Sequence, residues 1–441
     1  MRPGFFSRVF FVFALVIFSW CASACHRGPA EPVSLSFIDP EWSHDTSARR
    51  EIMEGFLREF TKETGIRVHH LPAPESAAEQ LQLIKRMLEK GSADVYGIDV
   101  IWPGMLKGQL LDLKPYLSAE TANLDSEMVA NFTVQNRLVA VPFHTNVAVL
   151  YYRTDLLREY GFDAPPKTWN ELEKMAQRIQ AGERAKGNRD FWGYFWSAAP
   201  SEGLTCEALE WQYSEGGGHI IEPDGKISVN NARAVHSWER AARWIGRISP
   251  PATVSYREWD AINAFRYAKR GAFLRSWTSD YFLSNPVPTA VLGIEGVTAI
   301  PGGGTLRAGT LGGLGLAISR TTAHPEESVQ LVRFLLRRES ELELARKNSH
   351  PPGQEEMVDL PAILVAYSGG LPSKEKRQNS VVARPSTVTG EKYDKVSQAY
   401  FQAVFSVLSG RAKANAAASK LEKQLVEITG LTAGTLPAEQ K

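Results

Sequence analysis

Cysteine is scarce in this chain: three residues among 441. Cys21 and Cys25 lie close to the N-terminus, and Cys206 stands alone. One isolated thiol excludes a disulfide framework, and Cys206, in a helical stretch, reads as a small buried hydrophobe. An excess of charge of one sign is missing too. The 50 Lys+Arg against 49 Asp+Glu leave a formal net charge of +1. That excludes the basic stripe of a nucleic-acid surface, so no nucleic-acid partner is expected. There is no long run of one sign, no low-complexity tract and no internal repeat. Catalytic signatures are lacking as well: no HExxH, no Walker A loop and no GxSxG elbow. The stretches "GGGT" and "LGGLG" have neither the spacing nor the following βα turn of a dinucleotide fingerprint. Ser373-Lys374-Glu375-Lys376 fits SxxK only as a chance match in a Lys-rich loop. The nine His show no paired ligand spacing, and His69-His70 reads as a structural strand end. No cofactor and no metal are expected.

A long hydrophobic run occurs once, at the start. "MRPGFFSRVFFVFALVIFSWCASAC" has Arg2 and Arg8, an apolar run from Val9 to Trp20, and then Ala22-Ser23-Ala24 before Cys25. A basic end, a short apolar core and a small-residue cleavage site make residues 1–24 a signal peptide. The run is too short for a comfortable membrane span. The small residues before Cys25 resemble a bacterial lipobox, with Ala22 where Leu is usual. Cys25 is therefore the expected lipidation site, with ordinary secretion as the alternative, and residues 25–32 a tether. More than one acyl chain there would anchor the protein stably. The expected location is exported, periplasmic or at the cell surface.

The length suggests two or three domains with a full core. From Val33 strands and helices alternate. "VSLSFI", "IRVHHL" and "DVYGIDVIW" read as strands. "DTSARREIMEGFLREFTKETG" and "SAAEQLQLIKRMLEKGS" read as the helices between them. Such alternation predicts an α/β sheet of mostly parallel strands, with ligands outside the C-terminal strand ends. "RLVAVPFHTNVAVLYYRTDLLREYGF" reads as two apolar runs joined by Pro142 to Asn146. Thr168 and Glu171 form a capping box for the next helix. "GTLGGLGLAISR" is Gly-rich and then strand-like, Pro325 opens a helix, and two amphipathic helices fill Lys392 to Gly430. The chain can cross between two lobes near Phe143–Asn146, Thr310–Gly313 and Val381–Arg384, which would make a three-crossing hinge beside a cleft.

One stretch poses the functional question. "ADVYGIDVIWPG" is a core strand, yet it carries Asp94, Asp99 and Trp102. An ionised carboxylate is costly in a core unless it is paired or meets a ligand. Similar polar and aromatic residues recur at turns after strands: Glu41-Trp42, His144, Asn146, Trp196, Glu202, Trp277 and Arg384. This set suits a sugar. Pyranose C–H faces stack on indoles, and hydroxyls need the acceptors and forked donors of Asp, Glu, Asn and Arg. Taken singly, each residue reads equally well as a helix cap or core aromatic.

The stretches "ADVYGIDVIWPG", "LYYRTDLL" with "PPKTWNEL", "EGLTCEALEWQYSEGGG", "AFRYAKRGAFLRSW", "GTLGGLGLAIS" and "ARPSTVTGEKYDKVSQAYFQAVFSVLSGR" run in order from about Val33 to Gly430. Together they resemble extracellular solute-binding protein family one of ABC sugar importers, nearest to its trehalose/maltose-binding branch. The resemblance implies a two-lobed periplasmic-binding-protein fold, type II-like. The first lobe would hold 33–142 and 314–380, and the second 146–310 and 384–430. It implies a monomer that binds a di- or oligosaccharide and delivers it to permease subunits without chemistry. It places substrate-binding acids at Glu41 and Asp99, an aromatic at Trp277 and a hinge-side Arg at Arg384. Trp102, His144, Asn146, Glu202, Ser279, Gly313 and Leu314 complete the expected site. The chain departs from that branch at Asn146, where Asp is common, and at His144, Ser201, Ser279 and Leu314, where aromatics stand. These departures imply a roomier cleft or a different sugar. Two other functions fit the same residues: a sensor presenting sugar to a membrane signalling protein, and a glycoside hydrolase using Asp99 with Glu41 or Glu202.

Overall fold

The computed structural model describes residues 32–39, 46–74, 77–122, 124–281, 295–304, 306–337 and 381–437. The leader with Cys25, the Glu41-Trp42 pair and the 338–380 part of the expected first lobe lie outside them.

Among the described residues nine strands form one hydrogen-bonded sheet, with a separate two-stranded hairpin. In chain order they are β1 (Ser34–Ile38), β2 (Arg67–Leu71), β3 (Val95–Asp99), β4 (Thr133–Val134), β5 (Arg137–Leu138), β6 (Val141–Arg153), β7 (Trp192–Phe195), β8 (Gly271–Trp277), β9 (Glu295–Ala299), β10 (Gly309–Ile318) and β11 (Val381–Val382). β4 and β5 make the hairpin, and the path runs β2-β1-β3-β10-β6-β8-β7, with β11 beside β10 and β9 beside β6. β1 is parallel to both β2 and β3, which are reached through the helices Thr46–Thr64 and Ala77–Lys90. β3 is buried from Val95 to Ile98, as a sheet covered on both faces requires. Asp94, at its start, is structural. Its carboxylate accepts from the Ser36 N–H at 2.8 Å and the Thr322 hydroxyl at 2.5 Å, tying β3 to its neighbours.

β6 differs from the two joined runs expected of its sequence: it is one 13-residue strand through Pro142–Asn146. Its partners explain why no break is needed. Residues 141–147 pair antiparallel with β10, while 148–153 pair with β8 on one side and β9 on the other. The backbone therefore stays hydrogen-bonded along its length. Pro142, which has no N–H to donate, pairs with Gly315 at the register shift between Leu314 and Gly315.

The apolar cores divide along these crossing strands. One cluster packs Phe37, Tyr96, Phe132, Phe143, Leu311, Leu316 and Phe334. Another packs Ala148, Trp169, Trp196, Trp211, Trp238, Trp244, Ala308, Val382 and Tyr400, and a smaller one around Tyr151 and Phe265 covers the other face of that sheet. β6, β10 and β11 thus each leave one core and enter the other. One expected boundary moves. Residues 386–392 pack on the first-lobe helix Pro103–Leu106, and Tyr393 belongs to the first core. The helix Tyr393–Leu408 joins the second core at Val396 and pairs with the helix Ala414–Thr429. The capping box forms as expected: the Glu171 N–H donates to the Thr168 hydroxyl at 3.2 Å, and the Thr168 N–H to the Glu171 carboxylate at 3.0 Å.

Candidate ligand-binding site

Asp99 ends β3 beside the crossing strand β10, directly opposite Leu314. Its Oδ1 accepts from the Ile101 N–H at 2.9 Å, a turn that holds the carboxylate at the strand end. Burial pushes its pKa up to about 6, against the pull of the Arg384 cation and the Ile101 N–H, with Glu202 adding to the rise. So Asp99, from the first lobe, lies in the field of two residues that the second lobe and its crossing supply.

Those two form an ion pair. Arg384 follows β11 and is 7 % exposed. Its Nη1 donates to Glu202 Oε1 at 2.8 Å and its Nη2 to the Leu311 carbonyl at 3.1 Å, whereas its buried Nε has no hydrogen-bond partner among the described residues. Glu202 is the first residue of the helix Glu202–Ser214, where an acid suits the positive end of the backbone dipole. Its carboxylate also accepts from the hydroxyls of Tyr393 and Ser397.

Trp277, half-buried, closes β8 opposite Ala148. The Arg275 guanidinium lies 4.5 Å from its ring centroid, and its Nε1–H donates to Glu258 Oε1 at 2.9 Å. Gly312 on β10 makes room for the indole, because a Cβ there would stand 2.8 Å from Cζ3. Gly313, next along, has φ +121°, and a Cβ would come 2.1 Å from the His144 carbonyl oxygen. The Gly-rich stretch is thus the point of closest approach between β10, β6 and the Trp277 ring.

Other expected site residues sit elsewhere. Trp102 is 2 % exposed and packs in the first core, at the start of the helix Pro103–Leu106. Trp196 is fully buried and packs edge-to-face on Trp211, with centroids 4.9 Å apart. His144 is 2 % exposed with its ring on Phe143, and Leu314 is buried between Asp99 and His144. Asn146 and Ser279 bond to each other, 3.0 Å from Nδ2 to Oγ, while Asn146 Oδ1 accepts from the Thr278 hydroxyl and the Ser279 N–H. Their polar groups brace the turn after β8, while the Ser279 O–H and the second Asn146 Nδ2–H are not used in these bonds.

Two functional candidates escaped the sequence reading. Glu258 opens the helix Glu258–Ile262, and its side chain is 45 % exposed beside the indole. Arg275 lies beneath that ring, buried, and its Nε donates to Glu210 Oε2 at 3.0 Å. Glu207 stands 3.8 Å from the same guanidinium, and its carboxylate accepts from the Ser197 N–H and hydroxyl. Burial pushes Glu207 well above the usual carboxylate range against the attraction of Arg275. No local pattern in the sequence marks an Arg in a strand as the partner of acids on a distant helix.

The arrangement offers an acid at the end of β3, an Arg–Glu pair after β11, and an indole packed by Gly312 of β10. Among the described residues no His, Cys, Asp or Glu cluster could hold a metal, and no helix is long and apolar enough to cross a membrane.

Two α/β lobes joined by three crossing strands, with polar groups and an indole gathered at the crossing, define the fold class of two-lobed binding proteins. The family model "Bacterial extracellular solute-binding protein" matches residues 44–341, and the chain belongs to that family. A "Probable ABC transporter-binding protein" of Deinococcus radiodurans is 41 % identical over 377 residues, covering 84 % of this chain and 89 % of its own. Among solved structures, "Maltose bound T. maritima MalE3" superposes with a TM-score of 0.78 at 28 % identity, covering 90 % of this chain and 100 % of that one. The GacH receptor of Streptomyces glaucescens, solved unliganded and with acarbose, has the same fold with a TM-score of 0.73 at 18 % identity, covering 90 % of this chain and 99 % of that one. The family is one of exported solute-binding proteins of ABC transporters rather than of enzymes.

Proposed function

We propose that this chain is the substrate-binding lipoprotein of a carbohydrate importer. It binds a di- or oligosaccharide of the maltose or trehalose type between its lobes, closes on it, and delivers it unchanged to the permease subunits as a monomer. Acylation of Cys25 would hold it at the membrane. What supports the reading is Asp99 at the end of β3 in the field of the Glu202–Arg384 pair, together with the Trp277 ring packed between Arg275 and Gly312 of β10. With one face backed by a cation, the indole can offer its other face to pyranose C–H groups. The carboxylates and guanidinium supply acceptors and forked donors for hydroxyls, and a site so built rejects ligands that lack them. The ligand drives closure only by binding the closed state more tightly than the open one. The test is calorimetric titration of the mature chain with maltose, trehalose, maltotriose and maltotetraose, with ribitol and an amino acid as controls. Saturable binding of at least one α-linked glucoside, recovered intact afterwards, supports the reading. No binding of any sugar overturns it.

A further inference from the structure

We infer that Glu258 is the positioning residue that sets the plane of the Trp277 ring, and so the sugar specificity of the second lobe. The inference rests on reading that indole as the surface on which the ligand stacks. The backbone of Trp277 is already fixed. Its N–H donates to Asp280 Oδ2 at 3.0 Å, and its carbonyl accepts from the Tyr151 hydroxyl at 2.6 Å. Neither bond restrains the two side-chain torsions that orient the ring. Three contacts do that. Arg275 stands 4.5 Å from the ring centroid, Gly312 leaves space at Cζ3, and Glu258 Oε1 accepts the Nε1–H at 2.9 Å. The first two are non-directional: a cation over a π face and an open space both let the ring slide and tilt. The third is directional, because an indole N–H donates in the plane of the ring. Glu258 therefore decides how the free indole face is presented.

The carboxylate sits where it can do this. Glu258 Oε1 is 4.0 Å from Arg275 Nη1, a buried donor with no hydrogen-bond partner among the described residues. It also lies beside Gly203 in the first turn of the helix Glu202–Ser214, 3.6 Å from where a Cβ would be. Arg275 in turn is held by Glu210, so the ring lies between a fixed cation and a fixed acceptor. A ring ordered before the ligand arrives escapes the cost of immobilising a side chain on binding, worth about threefold to tenfold in affinity.

The experiment uses the mature chain with Glu258→Ala and Glu258→Gln. In the ligand-free protein, the Trp277 indole N–H resonance is assigned by its loss in Trp277→Phe. We expect it to keep its position in Glu258→Gln, whose amide oxygen still accepts, and to move and broaden in Glu258→Ala. With maltose and maltotriose, Glu258→Ala should bind about threefold to tenfold more weakly and Glu258→Gln within about twofold of the parent. Both variants should melt within about 2 °C of it, as exposed substitutions do. An indole signal unmoved in Glu258→Ala overturns the assignment, as does an affinity that stays put when the signal moves. An equal loss in both variants overturns it too. If the parent itself binds no sugar, the functional reading fails and the specificity role with it; the ligand-free spectrum then still separates that failure from a wrong assignment of Glu258.

Discussion

Replacing Asp99 with Asn should stabilise the empty protein while weakening its grip on ligand. The carboxyl is half-buried at the end of β3, and burial raises its pKa from 3.8 to about 6 even though Arg384 and the Ile101 N–H pull the other way. In the unfolded chain it titrates near its ordinary value. An acid whose folded pKa lies above its unfolded one costs stability when ionised. The cost fades out below about pH 4, grows as the pH rises, and is complete above about pH 6, where it amounts to about 3 kcal/mol. Asn removes the charge and keeps an oxygen to accept from Ile101. Asp99→Asn should therefore melt roughly 6–12 °C above the parent at pH 7.5, taking the lobe as a unit of about 200 residues. At pH 4 the gap should shrink to about 0.5 kcal/mol, or about 1–2 °C. Loss of a charged acceptor should cost about 2 kcal/mol of ligand binding, or roughly thirtyfold. Calorimetric scans of both ligand-free proteins from pH 4 to pH 8 provide the assay. A gap as wide at pH 4 as at pH 7.5, or none at pH 7.5, refutes the argument.

Three further outcomes follow from the same geometry. Trp277→Ala should keep the folded circular-dichroism spectrum and lose about 2 kcal/mol of sugar affinity in calorimetry, since it removes the stacking face. Gly313→Ala places a Cβ 2.1 Å from the His144 carbonyl at a φ of +121°; it should cost about 3 kcal/mol or more in denaturant unfolding, and an unchanged midpoint would contradict the tight strand crossing. Arg275→Met leaves Glu210 buried without its cation, and should lose about 3–5 kcal/mol in denaturant unfolding at pH 7.5; an unchanged midpoint would contradict the buried pair.

What the sequence made legible was local. The capping box of Thr168 and Glu171 spans three residues, and Pro325 announces a first helical turn through its own ring. β3 is readable because a β-branched and aromatic run admits few alternatives. The unbroken β6 was not readable: Pro142 looks like a breaker until its place at a register shift is known. Trp102 and Asp99 share one strand-end turn and look equally functional in the sequence. The folded chain decides between them, packing Trp102 in the first core and leaving Asp99 at the strand end. Asn146 and Ser279 are 133 residues apart, and only the folded chain shows them bonded to one another. Glu258 has no sequence signal at all, because its role depends on an indole 19 positions away.

If sugar is held between the lobes, its binding draws them together across the β6, β10 and β11 crossing. Small-angle X-ray scattering of the mature chain, with and without a saturating sugar chosen by calorimetry, tests it most directly. A smaller radius of gyration with that sugar, and none of that contraction in Asp99→Asn at the same sugar concentration below its weakened affinity, is the predicted result. Tight binding with an unchanged radius would contradict closure and place the sugar on one lobe alone.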